Sequence, residues 1–216
     1  MLPADRALQE MSGKLRDAQR RIERLETLEH GTAGAIACSQ FIQTAEGESE
    51  VTFSAIDQNF LHLWLWMSVH STNPDLGCAM LMTFNGDTGT NYLSYNIGHL
   101  RDGGGTDTDA IVASTSSVAA IRIGHSGPEN HHTGCEVNLY NYALFEGINA
   151  RRPVTWKSWD FQFGPSESSN LIGVRQGGGR WINTADPITS ITISAGGGFC
   201  EFGNSSLFSL IGLCPI

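Results

Sequence analysis

From Leu61 to His70 the chain alternates strictly. Leu61, Leu63, Leu65, Met67 and Val69 fall on one side, and His62, Trp64, Trp66, Ser68 and His70 on the other. A period of two is that of a β-strand, whose successive side chains point to opposite faces. A strand with one face on a core normally shows water polar side chains, yet this one shows two tryptophans. Both faces therefore need cover, one from a second sheet and the other from a further body such as another copy of the chain. Similar patterning predicts strands at 36–43, 50–56, 61–69, 78–84, 91–97, 117–124, 135–142, 154–163, 171–176, 180–183, 188–194 and 205–211. The clusters NGDTG, RDGGGTDTD, HSGPENHHTG, GPSESSN, QGGG and AGGGF read as the turns between them. Short, regularly spaced strands with glycine-rich turns predict a mainly β fold, a jelly-roll-like β-sandwich over 36–216. The closing SLFSLIGLCPI is apolar enough to return to the sheet as a buried strand.

Ahead of the strands the period changes. Leu8, Leu15 and Ile22 repeat at one heptad position and Met11, Ala18 and Leu25 at the other, spaced 3,4,3,4,3. Pro3 suits the start of such a helix and Gly31 its stop. Arg21 and Glu26 stand five apart, as residues of an inter-helix ion pair do. The pattern predicts a coiled-coil helix over 1–30 that joins copies of the chain, with 31–35 as a linker. The alternative is an amphipathic helix folded back on its own domain. The seam is under three full heptads, which is marginal for a helix standing alone, and it does not fix the number of strands.

Composition sharpens this picture. The 216 residues suffice for one good-sized core, and 25 glycines with only 16% charged residues suit a loop-rich β domain. Residues 1–30 hold six basic and six acidic side chains, so the net charge of −9 lies in the remainder. An acidic body argues against nucleic acid and anionic membranes as partners. The N-terminus lacks the apolar stretch of a signal peptide and no run approaches a membrane span, so folding in a cytosol is expected. The five cysteines (Cys38, Cys78, Cys135, Cys200 and Cys214) are scattered and odd in number. They are expected to be small buried hydrophobes, with Cys214 the best candidate for an inter-chain bridge.

Candidate chemistry is sparse. Asp87 in NGDTG suits a tight turn, where Asn-Gly supplies positive φ and the carboxylate bonds amides two residues on. His125, His131, His132 and Cys135 are metal-ligand types, but adjacent histidines in an extended segment point opposite ways. Asp102, Asp107 and Asp109 miss the EF-hand spacing. The glycine triplets at 103–105, 177–179 and 196–198 do not sit between a strand and a helix, as phosphate cradles do. There is no GxSxG motif. The sequence thus predicts neither an enzyme, nor a metal, nor a cofactor. The tryptophans are more informative. Trp64 and Trp66, opposite an aliphatic face, are assigned to a subunit interface. Trp181, beside Gly179 and Arg180 in an expected hairpin, is the candidate for accessible ligand contact, the stacking platform of a host-glycan binding tip.

The blocks LHLWLWMSV, TFNGDTGTNY, NLYNYA and W…ITSITI…GGGF…GNSSLFSLIGL together resemble a family of tailed-bacteriophage virion proteins, structural or appendage in role. Its members carry an N-terminal coil followed by a β-domain. The resemblance runs from Phe53 to Leu213, in matching order and spacing, and Phe84 to Tyr92 is its most specific part. His70 stands where the family has arginine, and Leu210 where it has tyrosine. The resemblance implies a non-enzymatic structural protein of the virion, assembled in the host cytoplasm. Combined with the seam and the tryptophan face, it predicts a homotrimeric decoration or fibre protein of capsid, collar or tail, bound to other virion proteins through its helix. The alternative is a carbohydrate-binding tip of a tail fibre.

Overall fold

A computed structural model describes residues 36–73, 78–102, 107–127, 129, 131–143, 152–162, 171–183, 186–196 and 200–213. The seam residues Leu8, Met11, Leu15, Ala18, Ile22 and Leu25, the linker at 31–35 and Cys214 lie outside them. The described chain forms twelve strands: β1 (Ile36–Gln43), β2 (Glu50–Phe53), β3 (His62–Val69), β4 (Ala79–Phe84), β5 (Tyr92–Asp102), β6 (Asp107–Val118), β7 (Ile121–His125), β8 (Thr133–Tyr140), β9 (Arg152–Gln162), β10 (Leu171–Trp181), β11 (Ile191–Gly196) and β12 (Leu207–Leu213).

They pair into two antiparallel sheets packed as a sandwich. The larger runs β1-β12-β3-β8-β9-β10-β5-β6 and the smaller β2-β11-β4-β7. The pairing is nested: β1 with β12, β2 with β11, β3 with β12 and β8, and β4 with β11 and β7. Successive strands of this nest therefore alternate between sheets, except β4 and β7, which pair within the small one. Two hairpins interrupt it, β5–β6 between β4 and β7, and β9–β10 between β8 and β11. They meet through β10 and β5 and carry the large sheet past β8. Seven inter-strand spacings make that sheet roughly 34 Å wide.

Alternation explains the core. Leu63, Leu65, Met67 and Val69 of β3 point inward with Val137, Leu139, Trp156, Phe208 and Leu210 of neighbouring strands. They meet Phe53, Met80, Met82, Phe84, Ile121, Ile123, Ile191 and Ile193 from the small sheet. Each such side chain, fully buried, contributes about 1.5–3 kcal/mol. The closing strand β12 lies between β1 and β3, as its apolar character predicts.

Two expected elements differ in kind, beyond shifts of a few residues at other strand ends. The QGGG segment, expected as a turn between two short strands, lies inside one continuous strand, β10. Its glycines make room for side chains crossing from neighbours. A Cβ on Gly177 would stand 2.2 Å from the Tyr95 carbonyl oxygen and 2.6 Å from the Trp156 ring, and one on Gly179 3.0 Å from Ile121. The second is β6: a turn is expected through 109 and one strand at 117–124, yet 107–118 form a strand of their own and β7 starts at Ile121, because the Ser/Thr-rich run lacks the clear apolar alternation of the other strands.

The cysteines also need correction. Cys78 and Cys200 are joined by a disulfide spanning 122 residues, rather than standing as separate buried thiols. Cys135 is a buried thiol, as a small hydrophobe would be.

Candidate functional site

The outward face of the large sheet is built by the residues that alternate with the core set. Register places Ser209 of β12 between Phe41 of β1 and Trp66 of β3, and continues the row through Glu136, Lys157 and Gln176 to Ile97 of β5. Trp64 falls in the next row, opposite Ile211 and Asn138. The structure thus puts both tryptophans of β3 outside the sandwich, Trp66 39% exposed and Trp64 half-buried. Phe41, one strand further toward the edge than β12, is 61% exposed. Tyr95, Ile97, Trp159 and Val174 continue this apolar exposure over the inserted hairpins.

Between the two ends lies a groove of about 470 Å³ across β8, β9, β10 and β5, lined by Tyr95, Glu136, Asn138, Thr155, Lys157 and Gln176 among others. None of the polar residues of this groove stands out individually in the sequence; of its lining only Trp156, one of the five tryptophans, and Gly177 of the 177–179 triplet do. The usable signal was alternation along 135–142 and 154–163, but splitting β10 at its glycines broke the register that brings these strands together.

Trp181 sits elsewhere. It is 2% exposed and part of the core, so it is not the surface platform that a hairpin at that point predicted. Its ring lies 5.8 Å from that of Phe84, and the guanidinium carbon of Arg152 stands 5.4 Å from its centroid. Arg152 is itself buried and donates through Nη1 to the Asn183 carbonyl. Burial lowers its pKa, and Asp186 opposes the shift.

The Trp181 indole Nε1 donates to Asp87 Oδ2 at 2.7 Å, tying β10 to the Phe84–Tyr92 block. That block is a satisfied turn. Asn85 and Gly86 take positive φ of 52° and 68°. The Asp87 Oδ1 accepts from the Gly89 amide at 2.9 Å, and both carboxylate oxygens accept from Asn91 Nδ2. The Trp181 bond is the largest cause holding the Asp87 carboxyl below its usual range, opposed by burial and aided by Asn91 and Gly89. The Asn85 side chain accepts from the Thr189 and Ser190 amides and donates to the Pro187 carbonyl. Tyr92, pushed up to about 12 by burial, donates its hydroxyl proton to the Asp87 carbonyl. Both Asp87 oxygens are thus engaged in holding the turn.

The histidine segment does not converge. Arg122 donates to His125 Nε2, and burial with the Arg175 and Arg122 charges pushes His125 down to about 3. His132 is exposed, with Nδ1 3.2 Å from Ser68 Oγ and its ring 4.6 Å from that of His70. The Cys135 thiol donates into the core, to the Ile123 carbonyl. The side chains of Asp102, Asp107 and Asp109 lie outside the described residues. His70, at the position where the resembled family has arginine, is buried, its Nδ1 and Nε2 3.1 and 2.7 Å from the carbonyls of Ser71 and Asn204. Leu210, where that family has tyrosine, points into the core.

No protein-family model matches the chain, and no curated protein does. Among solved structures, the chain is similar to a polysaccharide lyase of family 18, aly-SJ02, at 10% identity, over 85% of this chain and 87% of that one, with a TM-score of 0.26. It is also similar to an apo Crh5 transglycosylase at 11% identity, over 86% and 89% of the two chains, with a TM-score of 0.20. At these scores neither likeness bears on function.

Proposed function

We propose that this chain is a non-enzymatic structural protein of a tailed-phage virion, a homotrimer that decorates capsid, collar or tail. In this proposal the sandwich is a jelly roll. The nested order β1-β12-β3-β8 over β2-β11-β4-β7, first strand with last and second with next-to-last, supports that topology. The four motif blocks from Phe53 to Leu213 support the virion assignment. The observation that carries the oligomer is the outward pair Phe41 and Trp66, held in one register row with only Ser209 between them.

The mechanism is assembly by burial. Covering each large apolar side chain contributes about 1.5–3 kcal/mol, against several kcal/mol of association entropy, so a few such residues per copy suffice only together with a second contact. The heptad seam at 8–25 is that contact in this proposal, and it leads into β1, the edge strand that carries Phe41. The coil sets copy number and polarity, and the sheet edge closes on its neighbours. Equilibrium sedimentation of the full chain at micromolar concentration tests this. A trimer is expected, and Phe41→Ser with Trp66→Ser shifts it toward monomer while the melting transition survives. A stable monomer of the unmodified chain overturns the proposal.

A further inference from the structure

The far half of the same outward face has a different character from the Phe41–Trp66 edge. Tyr95 is 48% exposed, and its ring leans from β5 across β10. Its hydroxyl and Cε1 come within 2.8 and 3.0 Å of where a Cβ of Gly178 would stand. This hydroxyl end of the ring therefore backs onto bare main chain, which a side chain at Gly178 would deny it, while its exposed part lines the groove. A ring seated this way is a preformed flat platform, and tyrosine has few rotatable bonds to immobilise on binding.

Around it the groove offers groups of one kind. Asn138 and Gln176 bring amides and Thr155 a hydroxyl, all able both to donate and to accept. Hydrogen bonds among the described residues do not occupy these three side chains. Glu136 and Lys157 face each other in register, so the floor carries both signs and no net charge. A phosphate or polyanion site requires converging cations, and the body of this protein is acidic. The groove crosses three inter-strand spacings, roughly 14 Å, long enough for a chain of rings rather than a single one. Its volume of about 470 Å³ falls within the roughly 300–1,000 Å³ of small-ligand sites.

We propose that the groove formed by Tyr95, Asn138, Thr155 and Gln176 binds an uncharged oligosaccharide. The apolar C–H face of one sugar ring stacks on Tyr95, and its hydroxyls exchange hydrogen bonds with the amides and the hydroxyl. This site begins on β8, the strand next to Trp66, with Glu136 opposite that tryptophan, and it does not require the Phe41–Trp66 contact.

The test is calorimetric titration of the full chain with maltohexaose, cellohexaose and chitohexaose, with a hexamer of galacturonate as the charged comparison. Saturable binding of at least one neutral hexamer is expected. Tyr95→Ala weakens it by about tenfold or more, and Gln176→Ala weakens it on a solvent-facing position that leaves the fold intact. Tyr95→Phe keeps the ring and keeps the binding. The proposal is overturned if no neutral hexamer binds, if both weakening variants bind as the parent does, or if galacturonate binds as tightly. It is likewise overturned if Tyr95→Ala dissociates the oligomer and no sugar binds, since the groove would then be a subunit contact. Sedimentation of the parent chain, read separately, tells failure of this site from failure of the trimer.

Discussion

Trp181 and Asp87 stand 94 residues apart and share a 2.7 Å hydrogen bond that ties β10 to the turn at Phe84–Tyr92. A bond to an ionised acceptor contributes more than a neutral one, about 1.5–3 kcal/mol. Trp181→Phe removes the donor and, with its smaller ring, leaves a cavity in the core, so it is expected to destabilise the fold by at least that amount at neutral pH. The sign with pH follows from the Asp87 shift. Its folded pKa lies below its unfolded value, so the contribution is complete above the unfolded carboxylate range near ~3.9 and is lost as pH falls through the lower folded value. The gap between parent and Trp181→Phe therefore narrows in acid, as denaturant titrations at neutral pH and at about pH 2.5 would show. A gap of constant size would mean that the indole N–H contributes nothing through the charge. The turn chemistry of Asp87 was legible in NGDTG, because it depends on neighbours within five residues. The partner indole was not, because nothing local announces a bond across the fold.

Strand β10 illustrates the same division between local and distant causes. Three consecutive glycines lower strand propensity, and from the sequence they mark a turn. They are tolerated in mid-strand because Trp156, Tyr95 and Ile121 occupy the space that side chains would have filled. Gly177→Ala is therefore expected to cost about 1–3 kcal/mol, the range of an overpacked core, since the first obstacle is the Tyr95 carbonyl, which is main chain and cannot rotate away. Gly86→Ala is the informative contrast. That position has φ +68° and nothing within 4 Å of a Cβ, so its cost is torsional alone, roughly 1–2 kcal/mol. Thermal melts of the two variants, with Gly177→Ala the less stable, check the assignment; equal melts would mean that β10 yields at that point. Strands such as β1 and β3, whose alternation is intrinsic, were readable to within a residue. The sandwich followed from them. The two inserted hairpins were not readable in full, and with them went the groove, whose residues become neighbours only when β10 runs unbroken between β9 and β5.

The disulfide reinforces a junction that the small sheet already makes, since Ala79 at the start of β4 pairs with Gly196 at the end of β11. Cys78 lies immediately before β4 of the small sheet, and Cys200 in the segment leading to β12 of the large one. Linking residues so distant restricts the unfolded chain, and losing such a bond costs about 2–5 kcal/mol. Cytosolic thiols stay reduced. Under the proposed function, with folding in a host cytoplasm, the chain would reach this sandwich on its core alone and gain the bond after release. The reduced protein is accordingly expected to be folded, with a lower melting temperature than the oxidised form, while the double variant Cys78→Ser, Cys200→Ser melts identically with and without reductant. Because the bond is within one chain, non-reducing electrophoresis shows no covalent oligomer through these two positions. Identical melts of the parent in both conditions would mean that the bond does not form in solution, whatever the proximity of the two cysteines. The order matters for assembly. A sandwich stable before oxidation can present its Phe41–Trp66 edge to sister copies while still reduced, so the bond would reinforce each copy after assembly rather than decide whether assembly occurs.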